Sequence, residues 1–417
     1  MKIFKFGGAS TKDAAGVKNV LSVVKQSGEE DLVIVVSAMG KTTNALEEVV
    51  AEYFENNSEN QAFRKVQEFH NELMHELFAT LEHAVFTEVA QLWNELNRFL
   101  QDNPSENHAY VYDQIVSFGE LISSKIVSAY FEESGIQNTW LDVRECIKTD
   151  DNYREAGVNW ELTEATIKEH VSRTGISITQ GFLGSESVNN FTTTLGREGS
   201  DYTAAIFAYC LNAESVTIWK DVPGVLNADP RYFSQTQLLN KISYKEAIEL
   251  AFYGASVIHP KTLQPLQGKN IPLYVKSFIE PEKPGTCVAG VVAIDPKVSC
   301  FILKKNLILI SLSSLDFSFV MEDHIGDVFK WLHQHKMKVE LIQNSAISFS
   351  VCVSDKYGNL EELLEKLRIR FRVKWNEDVT LYTVRHFSPE EILALRANKK
   401  VLMKQETQET VQLIIKE

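Results

Sequence analysis

The sequence has 417 residues, 44% hydrophobic and 24% charged, the make-up of a globular protein too long for one core and expected to divide into two or three units. A formal net charge of −14 argues against generic binding to nucleic acid or anionic membranes, since either wants a basic face. The five cysteines (Cys146, Cys210, Cys287, Cys300 and Cys352) are scattered without a C-x-x-C pair, so neither a zinc site nor a disulfide framework is expected and a reducing cytoplasm fits best.

In chain order, MKIFKFGGAS opens a strand at Ile3 to Phe6 with no long apolar segment and cleavage site before it. No run of about 18 apolar residues follows, so the expectation is a soluble, unexported protein. A helix is predicted over Asp13 to Gln26, then a fully buried strand over Asp31 to Val36, closed by Ser37-Ala38-Met39-Gly40. That order is βαβ. From about residue 44 to 102 the spacing is helical with no strand candidate, which implies a helical insertion ended by Asn103-Pro104-Ser105. Another helix is predicted from about Val111 to Glu133, with Glu120 off its apolar face of Leu121, Ile122, Ile126 and Ala129. Strands recur at Ile176 to Thr179, Ser215 to Trp219 and Leu273 to Lys276. Strands separated by helices indicate an α/β fold with an open, mostly parallel sheet flanked by helices.

The texture changes near Pro296. Strand Leu307 to Leu312, helix Ile325 to His335, strands Lys338 to Ile342 and Ile347 to Val353, helix Leu360 to Arg368 and strand Phe371 to Trp375 read as βαββαβ, a smaller α+β unit. A strand (Val379 to Val384), a helix (Pro389 to Ala397) and two strands (Val401 to Gln405, Thr410 to Lys416) follow, too little for a full second copy. The expected division is a catalytic domain over 1–295, a first small domain over 296–376 and an abbreviated second one over 377–417. His70, His75, His83, His333 and His335 form no metal set and are assigned to solvated helix faces.

Several loops carry chemistry. Lys5-Phe6-Gly7-Gly8 leaves the first strand with a point charge and two glycine amides at the sheet's carboxyl edge, where open α/β sheets bind ligands. The lysine precedes the glycines, so this is not a Walker loop. Thr192 to Ala205, TTTLGREGSDYTAA, runs a glycine-bearing turn into a helix, with Ser200 or Asp201 suited to its N-cap. There Arg197 offers a fork for a carboxylate or phosphate, and Asp201 an acceptor for a metal, an ammonium or a lysine. Ser37 and Thr43 add hydroxyls after the second strand, with an ordinary turn and N-cap as the other reading of Thr43. His259, beside Pro260, reads as a packed or capping histidine.

Six segments, KFGGAS, VSAMGKTTN, SFGEL, TTLGREGSDYTAA, KDVPGVLNADPR and YGASVIHPKT, occur in one fixed order. Together, over roughly residues 1 to 290, they resemble the aspartate kinases of the amino acid kinase family. The resemblance implies transfer of the ATP γ-phosphoryl group to the side-chain carboxylate of L-aspartate, the first step of lysine, threonine and methionine biosynthesis, with Mg2+ accompanying ATP. It assigns Lys5 and Asp201 to catalysis, and Ser37, Thr43, Glu120, Arg197 and Ser200 to aspartate. Lys5, Gly7, Gly8, Lys220, Asp221, Leu226, Arg231, Ser256 and Val257 go to the nucleotide, with the backbone of Lys220 expected to matter more than its side chain.

Three positions depart from the family's habit. It often has an aromatic residue at Leu226, often a lysine at Ser256 and usually glycine at Glu198; Lys261 is a candidate replacement for the lost lysine. The C-terminal part resembles an ACT-type regulatory region, which implies a homodimer and an amino-acid effector, lysine first and threonine second. Ile325, Asp327, Val339, Glu340, Asn344 and Ser345 match effector positions, with ordinary strand ends and caps as the alternative. Another amino acid kinase, or a degenerate kinase kept as an amino-acid sensor, are the competing readings. From the length, a stand-alone form without a fused homoserine dehydrogenase is expected.

Overall fold

The computed structural model describes residues 1–28, 30–55, 60–255, 258–315, 319 and 322–416. It divides into two compact units, the first made of Met1–Val225, Leu238–Ala251 and Ser256–Pro296, the second of Leu226–Gln237, Phe252–Ala255 and Lys297–Glu417.

The strands of the first unit are β1 (Lys2–Phe6), β2 (Leu32–Val36), β3 (Asn138–Leu141), β4 (Lys148–Thr149), β5 (Ile176–Gln180), β6 (Leu183–Glu186), β7 (Thr192–Thr194), β8 (Val216–Lys220), β9 (Lys241–Ser243), β10 (Leu273–Ser277) and β11 (Thr286–Ala289). Eight of them form one sheet in the order β3-β5-β2-β1-β8-β10-β11-β9, parallel throughout except between β10 and β11. The remaining β4, β6 and β7 make a small second sheet. The LVIVV run of β2 is buried at every position, as a strand covered on both faces requires. The parallel register carries the ends of β1, β2, β5 and β8 to one carboxyl edge, where Lys5 pairs with Val35 on one side and Ile218 on the other.

Helices Thr42–Phe54, Gln61–Leu77 and Ala84–Asp102 fill the stretch expected to be a helical insertion. The single helix expected over Val111 to Glu133 is instead two, His108–Val116 and Phe118–Glu133. The Ser117 hydroxyl donates back to the Gln114 carbonyl at 2.9 Å, a local bond that competes with the helical ladder at the break. The second helix is buried on nearly every side, so Glu120, expected away from the apolar face, lies inside the protein at 3% exposure. Gly119 permits this close approach: a Cβ there would lie 3.0 Å from the Ala38 Cβ and 3.2 Å from the Leu46 Cδ1.

One histidine also departs from its expected surface place. His70 is fully buried, because it continues the stripe Phe63, Val66, Leu73 and Leu77 on helix Gln61–Leu77. Its Nδ1 donates to the Val66 carbonyl at 2.7 Å, and its ring meets Trp93 edge-on at 5.5 Å.

The second unit holds one antiparallel sheet of β12 (Cys300–Ser314), β13 (Lys338–Asn344), β14 (Ser348–Ser354), β15 (Phe371–Arg385), β16 (Lys400–Glu406) and β17 (Thr410–Lys416), ordered β13-β14-β12-β15-β17-β16. Helices Glu322–Gln334 and Leu360–Arg368 lay Val328, Leu332, Leu363, Leu364 and Leu367 on Ile308, Ile310 and Leu312 of β12. The alternate residues Leu307 and Leu309 join Val379 and Leu381 in a separate cluster. The two longest strands serve both halves of this sheet: β12 and β15 pair through Ser314 at one end and through Cys300 at the other, with a register shift between Lys304 and Leu307. Residues 300–304 therefore stand beside the same strand that pairs with β17. Helix Pro389–Arg396 follows with a complete capping box from Ser388 and Glu391.

Candidate active site

A cavity of about 760 Å³ opens at the carboxyl edge of the first sheet, within the first unit. Lys5 and Gly8 line it from the end of β1, and Ser37 and Thr43 from the segment after β2. Glu120 reaches it from helix Phe118–Glu133, Arg197, Ser200 and Asp201 from the loop and helix after β7, and Lys220 from the end of β8.

At its floor lies an ion pair. Lys5 Nζ is 2.5 Å from Asp201 Oδ1, and the two side chains are 11% and 3% exposed. Lys220 Nζ lies 3.5 Å from Asp201 Oδ2. Burial works against charge on Asp201, but Lys5 and Lys220 outweigh it and hold the carboxyl below its ordinary range. Asp201 occupies the first turn of helix Gly199–Leu211, where a negative charge also suits the helix dipole.

The loop before that helix is shaped by Glu198. Its backbone is left-handed, φ 53° and ψ 30°, and it forms the N-cap without a side-chain cap bond. The cap is thus neither Ser200 nor Asp201, which lie within the helix, because the chain turns through the left-handed residue before either of them. Left-handed geometry is what glycine adopts at no steric cost, so the glycine that the resemblance leads one to expect here would have a backbone reason. The Glu198 carboxylate lines the cavity with Oε2 buried and unpartnered. Neighbouring Arg197 is exposed.

Glu120 stands apart electrostatically. Burial pushes its carboxyl up to about 8, although an N–H bond from Ala38 (3.2 Å) and the nearby charge of Lys5 act the other way. Its Oε2 is buried and makes no hydrogen bond. Among the described residues no group of three or more His, Cys, Asp or Glu side chains converges as a metal set.

Other expected residues lie elsewhere. Gly7 abuts the Lys5 ammonium, 3.3 Å from where its Cβ would be. Asp221 is exposed and does not line the cavity. Leu226 and Arg231 belong to the second unit, where the Arg231 guanidinium is held by Asp229 at 2.6 Å. Ser256 and Val257 lie outside the described residues. Lys261, the candidate replacement lysine, donates to the Leu195 carbonyl at 3.0 Å. His259 caps helix Pro260–Lys269 by accepting from the Lys261 amide.

Sequence reasoning missed the wall formed by Tyr112, Asn152, Tyr153, Arg154 and Glu155. Arg154 takes φ 72° and lays its guanidinium over the Tyr112 ring at 4.1 Å. Asp113, pushed by burial up to about 6, ties this wall to the end of β7: it accepts from the Arg154 amide at 3.0 Å and from the Thr194 amide and hydroxyl at 2.8 Å each. The one sequence signal was an aspartate on the apolar side of an amphipathic helix.

Residues 1–277 match the model of the amino acid kinase family. The chain is 32% identical to lysine-sensitive aspartokinase 3 of Escherichia coli over 394 residues, 91% of this chain and 85% of that one. It is 30% identical to the chloroplastic aspartokinase 1 of Arabidopsis thaliana, covering 87% of this chain and 65% of that one. Among solved structures it resembles E. coli aspartokinase III in complex with lysine and aspartate (26% identity, TM-score 0.82, covering 99% of this chain and 95% of that one). The same enzyme in complex with aspartate and ADP gives 27% identity and a TM-score of 0.79, covering 100% and 96%. The fold is shared with the aspartate kinase of Clostridium acetobutylicum at 21% identity and TM-score 0.84, over 100% of this chain and 96% of that one. The chain therefore belongs to the amino acid kinase family, among its aspartokinases.

Proposed function

We propose that this chain is an aspartate kinase, transferring the γ-phosphoryl group of ATP to the side-chain carboxylate of L-aspartate to give 4-phospho-L-aspartate and ADP. The observation that carries this reading is the buried Lys5–Asp201 pair sharing one cavity with Arg197 and Glu120. A carboxylate nucleophile needs no general base. The difficulty is bringing one anion to another, so catalysis is positioning plus electrostatic neutralisation.

In this reading Lys5 stabilises the transferred group, Asp201 orients Lys5, and Gly7 and Gly8 bring backbone amides beside the phosphates. Arg197 grips a carboxylate of aspartate, Glu120 accepts its α-ammonium, and Ser37, Thr43 and Ser200 complete the polar contacts. Lys220 and Asp221 stand on the nucleotide side, and Leu226, Arg231, Ser256 and Val257 remain assigned to it. A magnesium ion bound with ATP would neutralise phosphate charge; with both oxygens of Asp201 facing lysines, its ligands would come chiefly from phosphates and water.

Residues 1–295 are proposed as the catalytic domain, with 296–376 and 377–417 as ACT-type regulatory units. The E. coli relatives are a lysine-sensitive enzyme and a structure that holds lysine, which supports lysine as the effector here, ahead of threonine. Of the candidate effector positions, Asp327 holds Arg370, and Glu340 holds Lys304 and Lys338. Ile325 lies on helix Glu322–Gln334 and Val339 on β13, while Asn344 and Ser345 enter the turn to β14. A homodimer in the cytoplasm completes the reading; among the described residues no helix is long and apolar enough to cross a membrane.

The test is ADP release from magnesium–ATP, dependent on L-aspartate. Arg197→Ala is expected to raise the KM for aspartate about ten-fold or more while that for ATP changes little. Absence of aspartate-dependent ADP release from the parent chain would sink the proposal.

A further inference from the structure

A second cavity, of about 580 Å³, lies within the first unit on the face of the large sheet opposite the Lys5 side chain. Register fixes that placement. Lys5 of β1 stands beside Ile218 of β8, which stands beside Val275 of β10, and residues paired in parallel strands share a face. Their alternates Phe4, Thr217, Trp219, Tyr274 and Lys276 turn to the reverse face, and all five line the second cavity. Helix Ala14–Ser27 and the segment 281–284 supply the rest of its wall, together with Lys2 and Ser215.

The lining is aromatic. Trp219 is 3% exposed, stacks parallel to Phe6 at 6.0 Å and meets Phe4 edge-on at 5.5 Å. Its indole N–H is buried with no acceptor, although such a donor ordinarily finds one. Half-buried Lys276 stands over the same ring, its ammonium 5.2 Å from the centroid, and makes no ion pair among the described residues. Burial lowers its pKa against the opposing influence of Glu282, the mark of a cation partly stripped of water. An ammonium so placed gains from an entering anion. Lys2 adds a second positive charge, so the lysines of the lining outnumber its one carboxylate, Glu282. The volume lies in the range of small-molecule sites, whose usual lining is apolar rings with a few polar groups.

We propose that this cavity binds a small planar aromatic carboxylate, its ring against Phe4, Trp219 and Tyr274 and its carboxylate on the Lys276 ammonium. The site is distinct from the phosphoryl-transfer cavity and does not rest on that reading. It shares strands with that cavity, because the ring-bearing residues alternate with Lys5 on β1 and with Lys220 on β8.

The experiment is calorimetric titration of the full chain with indole-3-carboxylate as the probe. Indole, which lacks the charge, and cyclohexanecarboxylate, which lacks the flat ring, serve as comparisons. The probe is expected to saturate with a Kd below about 1 mM and the two comparisons to bind about ten-fold or more weakly. Lys276→Met should weaken the probe about ten-fold with thermal unfolding unchanged, and Lys276→Arg should recover most of the loss. Saturating ADP and L-aspartate should not displace it. No saturable binding up to about 10 mM, equal affinity for cyclohexanecarboxylate, equal affinity in Lys276→Met, or displacement by ADP or aspartate would overturn the assignment. Should Lys276→Met lower the melting temperature, the probe against indole on the parent chain decides the role of the charge.

Discussion

Glu120 carries one negative charge only when the cavity allows it. Burial holds its carboxyl up near 8 against an ordinary value of 4.5, so in the free protein at pH 7 it is mostly protonated. An α-ammonium partner wants the carboxylate. Binding of aspartate through Glu120 must then expel a proton below pH 8 and expel none well above it. Aspartate affinity is expected to rise with pH by up to about ten-fold per unit between roughly 6 and 8 and then to level off. Calorimetry of aspartate binding in two buffers of different ionisation enthalpy measures the released proton directly, and Glu120→Gln should bind weakly with that proton lost. Equal heats in both buffers at pH 7 would remove Glu120 from the ammonium site. At this scale the cavity's charged floor was legible: Lys5 ends β1 just before two glycines, Asp201 follows a glycine-bearing turn into a helix, and Glu198 stood out as a misfit before its left-handed backbone was seen. Arg154 was not legible. The turn signals Asp150, Asp151, Asn152 and Gly157 flank it, but the residue that takes φ 72° is an arginine, and its place depends on Tyr112 and Asp113, some forty residues away in the chain.

Elements were read well where their period was unambiguous. The all-apolar β2 and the parallel order of the first sheet follow from buried runs separated by helices, whereas β4, β6 and β7 are two to four residues long and carry no period to detect. The break at Ser117 was missed because both helices keep apolar spacing across it and the signal is a single hydroxyl. Helix Gln61–Leu77 shows the opposite error: a histidine was given to solvent although its spacing fits the buried stripe. The placement has an energetic consequence. Burial lowers the His70 imidazole from 6.5 to about 4, so below pH 6.5 the unfolded chain takes up a proton that the folded one refuses. Stability is thus full above pH 6.5 and is lost progressively as pH falls toward 4, by about 3 kcal/mol in total. Urea unfolding at pH 7 and at pH 4.5 should show a smaller acid loss in His70→Gln, which can still donate to the Val66 carbonyl but cannot titrate. An identical acid loss in parent and variant would mean that other groups govern acid sensitivity.

At the scale of the whole molecule, no sheet is shared between the two units, so control of one by a ligand of the other would be a coupling between two compact parts. The sheet of the second unit ends in β13 and β16, each with one neighbour among the described strands. Such edges must be covered or blunted, and pairing with a second copy is one way to cover them. Light scattering should then report a particle near twice the 47.2 kDa chain mass. If lysine inhibits by binding the regulatory sheet, its effect on aspartate is a coupling free energy and must be reciprocal. If saturating lysine weakens aspartate binding by some factor, typically about 5- to 150-fold, saturating aspartate must weaken lysine binding by that same factor. Calorimetric titration of lysine with and without saturating aspartate measures the second factor, and aspartate binding at saturating lysine measures the first. Equal factors place lysine at a distinct site that shifts one equilibrium. Lysine binding abolished in simple proportion to aspartate concentration, without reaching a plateau, would instead make lysine a competitor inside the cavity lined by Glu120 and Arg197, the residues proposed to hold aspartate.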